Sequence, residues 1–131
     1  MTILDNLPAG LREAAEQAAR ACVGDVAGVN AVVIASVDGF DVASSLRVQQ
    51  DAARIAAMAS SISAISGVVS LEAGLGNFRS VTIATDDGFA VVHAAPRADV
   101  ELVIIVIASG NAILAQVMHR VAAMARALAA H

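Results

Sequence analysis

The sequence has no lysine, no tryptophan and no tyrosine, and its only cysteine is Cys22. Without lysine the chain lacks both the Gly-Lys-Ser/Thr of a phosphate-binding P-loop and the amine of a Schiff-base enzyme. A single cysteine excludes an internal disulfide framework and a cysteine-rich zinc site. We interpret Cys22 as a small buried side chain, because no neighbouring cationic residue is evident that would activate its thiol.

The scarcity of basic and aromatic residues argues against a nucleic-acid partner. The basic residues are eight arginines spread along the chain, and the net charge is −4. A nucleic-acid surface needs a basic stripe, usually with aromatic side chains for stacking. The uncharged stretches at residues 55–71 and 102–118 are short for a bilayer and contain polar residues, so we expect no membrane span. The N-terminus has no signal-peptide pattern, which favours a cytoplasmic protein.

Two similar segments are the most informative feature that is present. Residues 32–42 and 81–91 each contain an apolar β-branched run, an Asp-Gly pair and then Phe-x-Val. Asp-Gly supplies the positive φ angles of a two-residue type I′ turn, so we predict two β-hairpins of this type. In the second hairpin this register places Thr82 opposite His93. We expect His93 to form a local hydrogen bond rather than to bind a metal, since no second ligand has suitable spacing.

Helical patterns precede, separate and follow the hairpins. The first helix is expected to have its cap at Asp5 or Asn6 and to hold Pro8 in its first turn, where a missing amide hydrogen costs nothing. The last helix is expected to follow a cap at Ser109 or Asn111.

The middle helical segment, from about Asp51 to Leu71, has two distinct faces. Large apolar residues recur along one stripe, at Ile55, Met58, Ile62, Ile65 and Val69. The neighbouring face is smooth, with no residue larger than serine: Ala53, Ala56, Ala57, Ser60, Ser63, Ala64 and Gly67. A smooth face allows a second helix to approach closely, but the same residues would also lie flat on a sheet, and both interpretations stay open.

The strands differ in how apolar they are. Residues 29–37 and 100–108 are apolar on both faces, which is typical of central strands covered above and below. The strands after Phe40 and after Phe78 are more polar and suit the edges. The sequence therefore predicts one α+β domain over residues 1–131, with the element order α-β-β-α-β-β-β-α. Its architecture is a three-layer α/β/α sandwich around a five-stranded, mainly antiparallel sheet of order 2-1-5-4-3.

This order of elements resembles the Roadblock/dynein light chain domain, with its roadblock/profilin-like fold. The residues that carry the resemblance are the Asp-Gly-Phe-x-Val-Ala-Ser hairpin at 32–44, the small-residue helix and the Gly-Leu-Gly turn at 74–76. The similarity spans about residues 11–128 and is closest to stand-alone bacterial members. It implies a cytoplasmic, non-enzymatic homodimer, without cofactor or metal, that binds a small Ras-like GTPase and modulates its nucleotide cycle.

The resemblance also implies where the dimer forms. In family members the middle helices pack antiparallel against each other and the third strands pair into one continuous sheet. Carried onto this sequence, the interface consists of Ala53, Ala56, Ala57, Ser60, Ser63, Ala64, Gly67, Arg79, Val81 and Ile83. Arg79 is the arginine that we would examine first for a contact with a bound GTPase. A surface arginine that keeps an edge strand solvated is the alternative explanation for this residue.

Two alternatives stay open at this point. The first is a self-associating scaffold without a GTPase partner, in which the small-residue helix and the edge strand serve assembly alone. The second is an enzyme or a small-molecule sensor that uses Asp38, Asp41, Asp86, Asp87 and His93 as acid-base groups. The aspartates have a sufficient role in the hairpin turns, and no convergent set of polar residues is evident.

Overall fold

The computed structural model describes residues 7–131 of the chain. Its elements are α1 (Leu11–Asp25), β1 (Val29–Ser36), β2 (Asp41–Leu46), α2 (Ala52–Glu72), β3 (Ser80–Ala84), β4 (Gly88–Ala95), β5 (Leu102–Ser109) and α3 (Leu114–Ala130). The strands form one antiparallel five-stranded sheet in the order β2-β1-β5-β4-β3. The predicted element order, sheet order and edge strands are confirmed.

β1 and β5 lie in the middle of the sheet because their side chains are apolar on both faces. Ile34 and Ile104 belong to the larger buried cluster, which α1 and α3 cover. Val33 and Ile105 belong to a smaller cluster on the opposite face, which α2 covers. The three predicted layers are therefore present, since each face of a sheet that is apolar on both sides requires a covering helix.

The first hairpin does not have the predicted two-residue type I′ turn. The amide of Ser36 donates to the carbonyl of Phe40 at 2.9 Å, so the loop consists of residues 37–39. The amide of Gly39 donates to the carbonyl of Ser36 at 2.9 Å. Gly39 has a φ of +94°, whereas Asp38 does not have a positive φ. This is the arrangement of a three-residue loop closed by a left-handed glycine.

The second hairpin has a two-residue loop, but the loop is Asp86-Asp87 and not Asp87-Gly88. Gly88 already belongs to β4 and has no positive φ. The predicted register was therefore wrong by two residues. His93 lies opposite Ser80, and Thr82 lies opposite Val91.

The start of α1 also differs from the prediction. The helix begins at Leu11, after Gly10 in a left-handed conformation. Pro8 lies before the helix rather than in its first turn, and its carbonyl accepts from the amide of Leu11 at 3.1 Å. The predicted caps Asp5 and Asn6 lie outside the described residues.

The two later helices start differently from each other. α2 begins as predicted, because the Asp51 carboxylate accepts from the amide of Arg54 at 3.2 Å and so caps the helix. α3 begins after Ile113, which offers no side-chain cap. Ser109 instead ends β5, where its hydroxyl hydrogen-bonds to Asn111 and to the carbonyl of Gly28. The predicted cap at Ser109 or Asn111 was therefore wrong.

Candidate protein-interaction site

α2 is only partly covered by the rest of the chain. Near its start, Ile55, Ala56 and Ala59 are buried against the sheet. Farther along, most of the large apolar side chains are exposed to solvent. We define the outer α2 face by its four most prominent members, with their exposed fractions: Met58 49%, Ile65 65%, Val68 61% and Val69 58%.

A row of exposed large apolar residues is unusual for a protein surface and marks a contact with another molecule. At 3.6 residues per turn these four positions fall within an arc of about 100° on one side of the helix. Leu71 at 65% and Leu75 at 77% exposure extend the apolar surface past the helix end. The face can bind an apolar surface, and nothing in it is equipped for chemistry.

Sequence reasoning placed three of these residues on a stripe but did not identify the stripe as surface. Met58, Ile65 and Val69 are exposed, while Ile55 of the same stripe is buried and Ile62 is intermediate. The available signal was the absence of charge between Arg54 and Glu72. A helix that is apolar all round needs cover on every side, and a sheet covers only one.

The smooth face of α2 is divided between the sheet and solvent. Ala56 lies fully inside the protomer, against the sheet, so as a predicted dimer-interface residue it is not accessible to a partner. The other members divide between partial and full exposure: Ser60, Ser63 and Gly67 are intermediate, whereas Ala53, Ala57 and Ala64 are exposed. The hydroxyl of Ser60 donates to the carbonyl of Val37, which ties α2 to the first hairpin loop.

The three predicted interface residues at β3 lie at the free edge of the sheet. Val81 is intermediate in exposure and packs against the α2-side cluster. Ile83 is 38% exposed, and Arg79, immediately before the strand, is also exposed. Val81 and Ile83 therefore lie on the same side of the sheet as the outer α2 face, whereas Arg79 lines a groove beside α3.

The polar residues beside β3 do not form a catalytic set. Nδ1 of His93 lies 2.7 Å from the carbonyl oxygen of Ala94, which confirms the predicted local hydrogen bond. Arg79, His93 and Arg126 line an open groove of about 510 Å³ between the β3–β4 end of the sheet and α3. Within residues 7–131, no group of three or more His, Cys, Asp or Glu side chains could hold a metal ion.

The remaining candidates for chemistry are dispersed. Asp38 lies in the loop after β1 and Asp41 starts β2, whereas Asp86 and Asp87 form the turn between β3 and β4, toward the other edge of the sheet. Burial raises the pKa of Asp41. Burial also raises the pKa of the Cys22 thiol, as expected for a packed side chain that is not reactive.

By length and composition alone, α2 is apolar enough to cross a membrane. Only 17% of its most hydrophobic window is buried. The hydropathy of α2 is high because the helix carries apolar residues on its exposed side, the outer α2 face, as well as on the side that packs on the sheet. The second stretch considered from the sequence, residues 102–118, is not one helix but β5 followed by the start of α3.

Comparison with known proteins agrees with this geometry. The family model of the Roadblock/LC7 domain matches residues 16–108. No curated protein matches the sequence significantly. A Roadblock/LC7 domain from Streptomyces avermitilis is similar in structure, with a TM-score of 0.77, 19% identity and coverage of 86% of this chain and 92% of that one.

Two further solved structures have the same fold. The gliding protein MglB from Thermus thermophilus aligns with a TM-score of 0.82 and 14% identity, covering 95% of this chain and 92% of that one. MglB from Myxococcus xanthus aligns with a TM-score of 0.81 and 14% identity, covering 95% and 91%. With the family model matched over most of its length, the chain belongs to the Roadblock/LC7 domain family.

Proposed function

We propose that this protein is a homodimeric, non-enzymatic regulator or scaffold that binds a small Ras-like GTPase and modulates its nucleotide cycle in the bacterial cytoplasm. The single observation that carries the proposal is the outer α2 face, an apolar surface with no cover in the protomer. Membership of the Roadblock/LC7 family supports the nature of the partner.

The outer α2 face supports self-association of the protein. Fully burying a valine, isoleucine or methionine side chain contributes about 1.5–3 kcal/mol, and these side chains are between 49% and 65% exposed. Ala57 and Ala64 are exposed beside this face and carry small side chains, so two α2 helices can approach closely. An antiparallel pair of α2 helices covers the row on both copies at once, as a two-fold interface requires.

Regulation by binding requires a preference for one nucleotide state. A partner that binds the GTP and GDP forms equally well cannot shift the GTPase between them. The proposal therefore predicts a difference in affinity between the two states and needs no catalytic group from this chain. Arg79 is not proposed to act on a nucleotide.

The proposal is tested by capture with the tagged protein from lysate of the source cell, with a GTP analogue or GDP added. Enrichment of a Ras-like GTPase with one nucleotide and not with the other supports it. Recovery of this chain alone, in both conditions, contradicts the GTPase partner and favours the self-associating scaffold. Variants of the outer α2 face serve as the control. If these variants still capture the GTPase, the capture does not depend on this surface.

A further inference from the structure

β3 has an unpaired backbone edge whose register follows from the β3–β4 ladder. The amide of Ala94 donates to the carbonyl of Arg79 at 2.9 Å, and Val81 lies opposite Val92. In an antiparallel ladder the residues that bond to the neighbour alternate with residues whose backbone groups point away. The groups that point to the free edge therefore belong to Ser80, Thr82 and Ala84.

The other edge strand, β2, is protected and β3 is not. β2 pairs with β1 through a register irregularity at Ile34 and Ala35, and it begins with the charged Asp41. Immediately after it, the Arg47 guanidinium donates to the carbonyl of Val23 in α1 at 2.7 Å. Bulges and charges of this kind discourage strand addition. β3 has none of them between Ser80 and Ala84.

A second copy of the chain fits this edge around a two-fold axis at Thr82. Pairing centred there engages the outward backbone groups of all three residues, whereas any shifted register leaves some of them unpaired. Val81 then lies opposite Ile83 of the second copy. Both are on the α2 side of the sheet, so this apolar pair lies on the same side of the sheet as the outer α2 face.

The same geometry brings opposite charges together at both ends of the paired strands. Arg79 precedes β3, and Asp86 and Asp87 follow it. Antiparallel pairing about Thr82 sets Arg79 opposite Thr85 of the second copy, immediately beside that copy's Asp86-Asp87 turn. Diagonal neighbours across a ladder stand roughly 7–8 Å apart, within the reach of an arginine side chain.

These charged groups are free to pair with another molecule. All three are exposed, and among the described residues the ion pairs are Arg12–Glu16, Arg97–Asp99 and Arg120–Asp25. We propose that Arg79 of each copy pairs with the Asp86-Asp87 turn of the other copy, and that these two symmetry-related contacts fix the antiparallel register of β3. This inference rests on the self-association in the proposed function and adds the charged contacts that set the register of the dimer.

The arrangement predicts an obligate heterodimer after charge reversal. An Arg79→Glu chain faces its own aspartates in a homodimer, and an Asp86→Lys/Asp87→Lys chain faces its own Arg79, so both homodimers contain like charges at both ends. In the mixed dimer, the introduced glutamate of one chain meets the introduced lysines of the other, and the native arginine meets the native aspartates. Both contacts of the mixed dimer are attractive.

The test measures the dissociation constant of each purified full-length variant alone and of the equimolar mixture, by sedimentation equilibrium and native mass spectrometry. We expect each variant alone to dissociate at about tenfold or higher concentration than the wild type, and the mixture to regain wild-type affinity as the heterodimer. Arg20→Glu, an exposed reversal on α1, is the matched control and should dimerise as the wild type does.

Two results overturn the inference. One is wild-type dimerisation of both variants alone, and the other is a mixture no tighter than its components. If the turn variant fails to fold, Arg79→Gln replaces it, and its dimer should lose the salt dependence of the wild-type dimer. A wild type that is monomeric at all concentrations contradicts the proposed homodimer itself, so the two failures are distinguishable.

Discussion

Gly88 lies directly against the backbone of Ala108: a Cβ at position 88 would overlap the Ala108 carbonyl oxygen. Real Cβ atoms do not approach that closely, so any side chain at position 88 must displace β4 from β5. Gly88→Ala is expected to lower the free energy of unfolding by about 1–3 kcal/mol, the usual range for overpacking. Urea denaturation of the variant and the wild type measures the difference.

Gly24→Ala is the matched control for that experiment. Gly24 lies inside α1, and a Cβ there has no atom within 4 Å. Alanine is the better helix former, so this variant is expected to be as stable as the wild type or more stable by up to about 1 kcal/mol. Equal losses at positions 24 and 88 would contradict the close contact with Ala108.

Gly39, in the corresponding Asp-Gly-Phe sequence, is needed for a different reason. Its φ is +94°, and a Cβ there would meet Ala57 only at an ordinary 3.5 Å. Gly39→Ala should therefore cost about 1–2 kcal/mol of left-handed strain. Because asparagine tolerates the left-handed conformation better than alanine, Gly39→Asn should lose less stability than Gly39→Ala. Gly88→Asn, in contrast, should lose at least as much stability as Gly88→Ala. The ranking of the four variants in one denaturation series checks this distinction.

Arg97 anchors the end of α3. Its side chain is 6% exposed, it pairs with Asp99 at 2.8 Å, and it donates to the carbonyl of Leu128 in the last turn of the helix. Arg97→Ala leaves that carbonyl without its cationic donor and is expected to cost about 1–3 kcal/mol of stability. Arg20→Ala, an exposed arginine on α1, should stay within about 0.5 kcal/mol of the wild type. A comparably small effect at Arg97 would show that the helix end is held by other contacts.

The same pair gives stability a defined pH dependence. The hydrogen bond from Arg97 lowers the pKa of Asp99 from 3.8 to about 2. Between these two pKa values the unfolded chain binds more protons than the folded protein. The contribution of the Arg97–Asp99 pair to stability is therefore complete above the pKa of Asp99 in the unfolded chain, and it is lost as the pH falls through the pKa of Asp99 in the folded protein. Asp99→Asn removes it, so the difference in Tm between wild type and variant should shrink from pH 5 to pH 2. A difference that is constant with pH would contradict the role assigned to the pair.

The outer α2 face gives a direct prediction for assembly. Ile65 is 65% exposed in the protomer, so Ile65→Glu should leave the fold intact and should abolish the dimer by placing a charge in an apolar contact. Val48, also apolar and 48% exposed but outside α2, provides the control variant Val48→Glu. Light scattering after size-exclusion chromatography reports the mass, and circular dichroism reports the fold. A dimeric Ile65→Glu would remove the outer α2 face from the interface.

The layered architecture could be predicted from the sequence because it depends on local patterns. Residues such as Ile34 and Ile104 lie in runs that are apolar on both faces, and only a central strand satisfies such runs. The start of α2 near Asp51 was predicted from the local pattern as well, and the Asp51 carboxylate caps it by accepting from the amide of Arg54, three residues later. These features need no knowledge of distant residues.

Two of the errors lie where a distant contact overrides a local pattern. The Asp87-Gly88 pair has the composition of a type I′ turn, but Gly88 is drawn into β4 where it meets Ala108, and the register moves by two residues. Ser109 has the chemistry of a helix cap, but its hydroxyl is engaged by Gly28 across the sheet. Local propensity cannot show which of two partners a group will have in the folded chain.

We propose that this protein recognises one nucleotide state of a small Ras-like GTPase. The most direct test is the affinity of the purified wild-type protein for the Ras-like GTPases of the source cell, each loaded with a GTP analogue or with GDP, measured by isothermal titration calorimetry. We predict for one of them a preference of about 5- to 150-fold for one state, the usual range of coupling between two binding equilibria. Equal affinity for both states, or no binding to any of them, would contradict the claim.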